Sequence, residues 1–404
     1  MSWFRHNVFH MLEDLILVIN TASFSHAARR YVRIPVLKVT AVLQLKPMIS
    51  NPITSGRGDA VLDLQTKGKP TLLAQLAKST TCTKDKIMVR KEWGDMPKTD
   101  RKAYIKSVLC LMNAPSKLPA GKFPGAKTRY EDFLVTHMQQ TLQIHSTGNF
   151  LSWHRYFTWS YEQALRNECG YNGTQPYWDW GRWANDPESS PIFDGSDTSM
   201  SGNGKKVAHS ATMVGPAQNG GGCVETGPFA NMTVRLGPVS PMADPAPPKN
   251  PRTDGFGENP RCLRRDLGPY LTKNYASTAD ISSLITSYKN IGDFQTVMQG
   301  GTGVHSAAHF TIGSDPGGDF YTSPGDPAFY LLHAQIDRVW TIWQMQDLPN
   351  RMQTIAGGTQ MYGGGALQKL TDVVNITNVN PKVYELKDLM SVVDEPFCYV
   401  YDSL

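Results

Sequence analysis

Nowhere in the 404 residues is there an apolar run of 18 or more, so no segment is suited to cross a membrane as a helix. Lys and Arg never gather into a dense block and the formal net charge is only +5, which argues against nucleic acid as a partner. Cysteine is sparse: six residues (Cys82, Cys110, Cys169, Cys223, Cys262 and Cys398), widely spaced, with no CxxC pair. An even count permits three disulfides in an oxidising compartment, with 15 connectivities open; a tie from Cys82 to Cys398 would clip the ends of the catalytic region together. What the chain does have is bulk. At 40% hydrophobic it can bury a large core, as one big domain or two.

The informative stretch runs from His305 to Trp340, HSAAHFTIGSDPGGDFYTSPGDPAFYLLHAQIDRVW. His305 and His309 stand four residues apart, which on a helix puts both imidazoles on one face within reach of one metal ion. His333 follows, with Asp337 one helical turn further on, where a carboxylate can take a ligand imidazole's second N–H or pair with Arg338 or Arg155. Upstream lies a second trio, His137, His145 and His154, so six of the ten histidines fall into two groups of three. An incidental origin suits an isolated HxxxH pair but not two matching trios. All-imidazole ligation suits copper, zinc, iron or nickel alike. His6, His10, His26 and His209 lie outside both trios and read as ordinary histidines.

Along the chain, Arg5, the apolar LILVI (Leu15 to Ile19) and small residues at Ser25 to Ala28 outline a signal peptide, which Glu13 and Asp14 interrupt. Residues 1–80 are read as an N-terminal leader, signal peptide plus processed segment, and 81–404 as the catalytic domain; secretion is the expected destination. PTLLAQLAK (Pro70 to Lys78) reads as a short helix with Pro at its start. Helices are expected from Thr99, with Thr99 or Asp100 as N-cap, over Tyr130 to Gln143, over Phe150 to Asn167, and over Ser277 to Met298. PYWDWGRWAND suits an aromatic turn walling the core, 184–260 is a loop-rich insertion within one domain, and the tail VYELKDL to FCYVYDSL is strand-like. Sequons stand at Asn172, Asn231 and Asn375, usable only on a secretory route. The fold class read from this pattern is mainly α, with long loops and a few short strands.

DPAFYLLHAQID fits the signature D-P-x-F-aromatic-x-x-H-x-x-x-D of tyrosinases, catechol oxidases and haemocyanins, the type-3 copper proteins, and HSTGNFLSWHRYFTWSYEQAL resembles their first copper-binding motif. The likeness extends from about Cys82 to Tyr401 and is closest to short fungal polyphenol oxidases. It implies a helical bundle holding a binuclear metal site, with two copper ions, one on His137, His145 and His154 and the other on His305, His309 and His333. It implies oxidation of o-diphenols or o-aminophenols by dioxygen to quinones or quinone imines, in secondary-metabolite or pigment formation. A small phenolic or aminophenolic compound and dioxygen are then the partners. Phe320, thirteen residues before His333, falls where plant members place a gate over one copper.

Three departures qualify the resemblance. Gln143 replaces the cysteine that cross-links to the second histidine in many members, and Ser306 replaces the Asn that helps activate a water in strong monophenolases. Weak monophenol hydroxylation is therefore expected. Leu332 stands where most members have a histidine beside the ligand. Ser306 and Leu332 leave room for a different chemistry on the same scaffold, the zinc-dependent, non-redox lyase activity of the fungal cyclopenases. The resemblance also ends with the catalytic domain, with no C-terminal shielding domain expected.

Overall fold

The computed structural model describes residues 59–402. Helices dominate, as expected, and the strands are short, pairing only in two-stranded ribbons.

The central pair of helices follows directly from composition. Helix α1 (Ala60–Leu76), α2 (Lys98–Asn113), α3 (Arg129–Ile144) and α4 (Phe150–Cys169) precede the loop-rich region. Helices α5 (Pro269–Tyr275), α6 (Thr278–Ser287), α7 (Ile291–Gln299), α8 (Val304–Ile312), α9 (Phe329–Met345) and the single turn α10 (Leu348–Arg351) come after it. Every residue of α9 is buried, which is what a helix apolar nearly all round requires. It packs along α4, whose first sixteen residues are almost all buried, so the two motif-bearing helices form the middle of the molecule. Trp178, Trp180, Trp340 and Trp343 fill the space around them, so the aromatic PYWDWGRWAND turn does wall the core.

Helix boundaries show where local chemistry decided. Thr128 and Glu131 form a reciprocal capping box at the start of α3. Gly170, at φ +66°, closes α4 in the left-handed conformation that a side chain disfavours. The helix expected from Thr99 begins at Lys98 after Pro97, with no side-chain cap; the fixed φ of Pro97 sets the entry instead. The single helix expected over Ser277 to Met298 is two, because Asn290 caps a fresh start by accepting from Asp293 N at 2.8 Å.

The stretch expected to be a leader overlaps the packed body. Helix α1 begins ten residues before Pro70, capped by Asp59, and Pro70 lies inside it rather than at its start. Its Gly68 lies so close to Met345 that an added Cβ would come within 2.5 Å of the Met345 Cβ. Gln65 donates to the Asp402 carbonyl at 2.6 Å and accepts from Arg338 at 2.9 Å. The body therefore starts before residue 81. The expected signal peptide, with His6, His10 and His26, lies outside the described residues.

All six cysteines are paired: Cys82–Cys398, Cys110–Cys169 and Cys223–Cys262. The first closes a loop of 316 residues beside a parallel pairing of β1 (Met88–Arg90) with β10 (Tyr399–Tyr401). Closing so long a loop stabilises by on the order of 4 kcal/mol through the entropy it removes from the unfolded chain. The 184–260 region is irregular as expected, with β2 (Gly204–Lys206), β3 (Gly221–Val224) and β4 (Thr233–Val234) as its strands, β4 pairing with β5 (Arg261–Cys262) just beyond it. The tail adds two hairpins, β6 (Gly358–Gln360) with β7 (Gly364–Leu367) and β8 (Val373–Asn375) with β9 (Val383–Glu385).

Candidate metal centre

The structure brings the six histidines into two groups, and within each the candidate ligand atoms lie within 4.8 Å of one another. His137 comes from α3, His145 directly follows it, and His154 lies in the first turns of α4. His305 and His309 lie one turn apart on α8, and His333 comes from α9. The groups face each other: the His154 and His333 rings stack at 4.4 Å with 14° between planes, and His145 and His305 are 6.3 Å apart.

Hydrogen bonding decides which nitrogen each ring offers. His137 Nδ1 lies 2.9 Å from the Tyr321 carbonyl, His145 Nδ1 2.9 Å from that of Thr141, and His154 Nδ1 2.8 Å from that of Phe150. A carbonyl only accepts, so each Nδ1 carries the proton and each Nε2 keeps a lone pair. The Nε2 atoms of His137 and His154 are buried with no protein partner among the described residues. An orphaned buried acceptor is costly unless something binds it, and a metal ion is what three converging lone pairs fit. In the second group neither nitrogen of His305 has a partner, and His309 Nε2 and His333 Nε2 lie 3.0 Å apart.

Burial keeps all six imidazoles neutral. It drives His145 down to about 4 and His309 to about 3, and holds the other four well below the usual histidine range. A neutral imidazole is the form that binds a metal, so no proton has to leave first.

The remaining expected site residues fall in different places. Phe320 lies against the site, its ring 4.6 Å from that of His145. Ser306 is half-buried and donates its hydroxyl to the Gln299 carbonyl at 3.1 Å. Leu332 is fully buried among apolar side chains, and Gln143 is exposed. Of the partners expected for Asp337, Arg155 is the one found; none of its bonds goes to a histidine or to Arg338. It accepts from Arg155 Nε and from the hydroxyls of Tyr399 and Tyr401, with Arg90 at 3.4 Å. Burial alone would raise its pKa, but Arg155 and Arg90 outweigh burial and hold it below the usual carboxylate range. Arg338 pairs with Asp179 instead. Asp337 thus locks α9 to α4 beside the site and touches no ligand. His209, read as an ordinary histidine, bonds Val207 and Asp266.

Three contributors were not anticipated. Phe329 lies 4.2 Å from His333, and Phe150 4.9 Å from both His154 and His305. Gln299 ends α7 between the two groups: its side-chain oxygen accepts from Ser146 N at 2.7 Å, and its carbonyl takes the Ser306 hydroxyl. Ser146 follows His145 in a left-handed conformation, φ 51°, so Gln299 braces a disfavoured turn beside one group and the helix of the other.

Comparison with known proteins agrees with this geometry. Residues 127–346, which contain all six histidines, match the family model described as the common central domain of tyrosinase. Tyrosinase P of Aspergillus terreus is 37% identical over 332 residues, covering 78% of this chain and 91% of that protein. The N-acetyl-6-hydroxytryptophan oxidase of Emericella nidulans is 35% identical over 348 residues, covering 80% and 94%. The solved structure of a polyphenol oxidase from Thermothelomyces thermophila superposes with a TM-score of 0.79 at 40% identity, covering 85% of this chain and 97% of that one. With two facing three-histidine groups inside the matched region, the chain belongs to the tyrosinase family of type-3 copper proteins and is a tyrosinase-like oxidase.

Proposed function

We propose that the two histidine groups each hold one copper ion and that the enzyme oxidises o-diphenols or o-aminophenols at the expense of dioxygen. The observation that carries this reading is the pair of facing groups of neutral imidazoles, with the buried Nε2 atoms of His137, His154 and His305 unpartnered among the described residues. Two copper ions, when bound, supply the two-electron couple between such a substrate and dioxygen.

The chain's own residues shape what enters and how it sits. Phe320, against His145, narrows the approach and favours small, flat phenols. Phe329 and Phe150 pack the imidazoles from behind, exclude water and fix ring orientation. A diphenol is easily oxidised, whereas a monophenol must first lose its proton to a base. Asp337 is committed to two arginines, and the Ser306 hydroxyl is committed to a carbonyl. Neither serves as that base, so hydroxylation of monophenols is weak. The named substrate of the Emericella relative is a hydroxylated indole, which extends the candidates to phenols on fused rings. None of the relatives named above is a lyase, so the zinc-dependent alternative gains no support.

The test is metal analysis with oxygen uptake on catechol, o-aminophenol and tyrosol. About two coppers per chain, fast uptake on the first two and slow uptake on the third are expected. Zinc at that stoichiometry, with no uptake after copper loading, would overturn the reading.

A further inference from the structure

We infer that Asn375 is an N-glycosylation site and that its glycan covers the exposed apolar face of the β8–β9 hairpin. The inference is independent of which metal the histidines hold.

The register of the hairpin places the residues. Val373 pairs with Glu385, Val374 with Tyr384 and Asn375 with Val383. Side chains alternate across a strand, so Val373, Asn375, Val383 and Glu385 share one face and Val374 and Tyr384 the other. The inner face is satisfied: Val374 is 2% exposed, and Tyr384 packs on Tyr156 at 5.3 Å. The outer face is not. Val373 is 61% exposed and Val383 47%, directly around an exposed Asn375. Two bare valines on a two-stranded ribbon are an aggregation liability, and proteins commonly cover or charge such faces.

The sequon Asn375-Ile376-Thr377 supplies the cover. Asn375 Oδ1 accepts from Thr377 N at 3.0 Å, and its main-chain carbonyl accepts from Gln140 Nε2 at 2.9 Å. The attachment point is thereby held in place while Nδ2, the atom that bears a glycan, has no protein partner among the described residues. A sugar on Nδ2 sits directly across the ribbon from Val383. The compartment agrees: three disulfides that leave no cysteine free are formed where chains are oxidised, the compartment in which sequons are also read. In the reaction, C1 of the first N-acetylglucosamine bonds to Asn375 Nδ2. Its bond to the diphosphate of a polyprenyl-diphosphate oligosaccharide donor breaks, the diphosphate leaves, and one amide proton is released.

The test is secretion of the full chain from a eukaryotic host, followed by peptide-N-glycosidase digestion in heavy-oxygen water and mass mapping. Heavy-oxygen Asp at position 375 is expected. Asn375→Gln and Thr377→Val should each lose one glycan's mass while Thr377→Ser keeps it, with copper content unchanged in all three. Protein lacking this glycan should bind more of a hydrophobic dye and aggregate sooner, and Val373→Thr with Val383→Thr should reverse both. An unmodified Asn375 in secreted protein, or retention in the cell with free thiols, would overturn the site. Unchanged dye binding and aggregation on its loss would overturn the covering role.

Discussion

In the group formed by His137, His145 and His154, a main-chain carbonyl fixes each imidazole; in the group formed by His305, His309 and His333, no main-chain carbonyl among the described residues bonds a ring nitrogen. Those carbonyls set tautomer and orientation before any metal arrives. The second group relies on packing, chiefly against Phe329 and Phe150, and two of its nitrogens face each other at 3.0 Å. Equal ligand counts therefore do not make equal sites. The first is preorganised by the backbone, and the second is completed by the ion it binds.

The largest effect should come from removing a ligand. His154→Ala and His305→Ala should each abolish oxygen uptake, yet leave different remainders. His305→Ala keeps one metal through gel filtration, and His154→Ala loses most of both. Equal retention by the two variants would remove the distinction. Next comes the lock between the helices that carry the two groups. Asp337→Asn removes the only carboxylate paired with the buried Arg155 guanidinium among the described residues, while Arg90 keeps Glu162, and should cost about 3–5 kcal/mol in urea unfolding, as breaking a buried ion pair does. A cost under about 1 kcal/mol would show that the half-sites do not depend on each other's helices.

Chelation sharpens the comparison. Metal should leave in two phases, with the second group roughly 10–100-fold weaker, the range associated with losing partners around a metal ligand. A single phase would contradict the asymmetry. Gln299→Leu should cost about 1–3 kcal/mol by stranding Ser146 N, and should loosen the spacing between groups without removing a ligand. With copper loaded, the reporter is the paramagnetic signal of the oxidised enzyme, silent when the two ions are coupled and visible when they are not. Smallest is the pH effect at His209, a histidine with no part in either group. Burial pulls its pKa down, but the Val207 carbonyl and Asp266 outweigh that and raise it. Its stabilising contribution is full below the unfolded value of about 6.5 and is lost as pH rises through the raised folded value. His209→Gln should flatten that part of the stability profile.

The sequence carried both trios, because three-histidine spacing within long motifs is a local pattern, and it carried the helices bearing them. It also marked His209 as an ordinary histidine. Carbonyl anchors were partly legible. Those from Thr141 and Phe150 lie four residues before the histidine they hold, the spacing of one helical turn, whereas the Tyr321 anchor reaches across 184 residues and leaves no local trace. Asp337 was half legible for a related reason. Its i+4 spacing from His333 is real and Arg155 was an expected partner, but Arg90 and the two β10 tyrosines, distant in sequence, take the rest of its oxygens. The split near Asn290 turned on one capping side chain, and the leader boundary on a helix whose partners, α6 and α9, are distant in sequence.

The Cys82–Cys398 bridge has a topological consequence. Between those residues the backbone is a closed covalent ring, and the two histidine groups sit on opposite arcs of it, separated on one side by the irregular 184–260 region. A single cut in that region opens the ring without dividing it. The arcs stay joined at the far side, the Cys223–Cys262 bridge spans a cut made between its ends, and a nicked molecule still migrates as one chain until it is reduced.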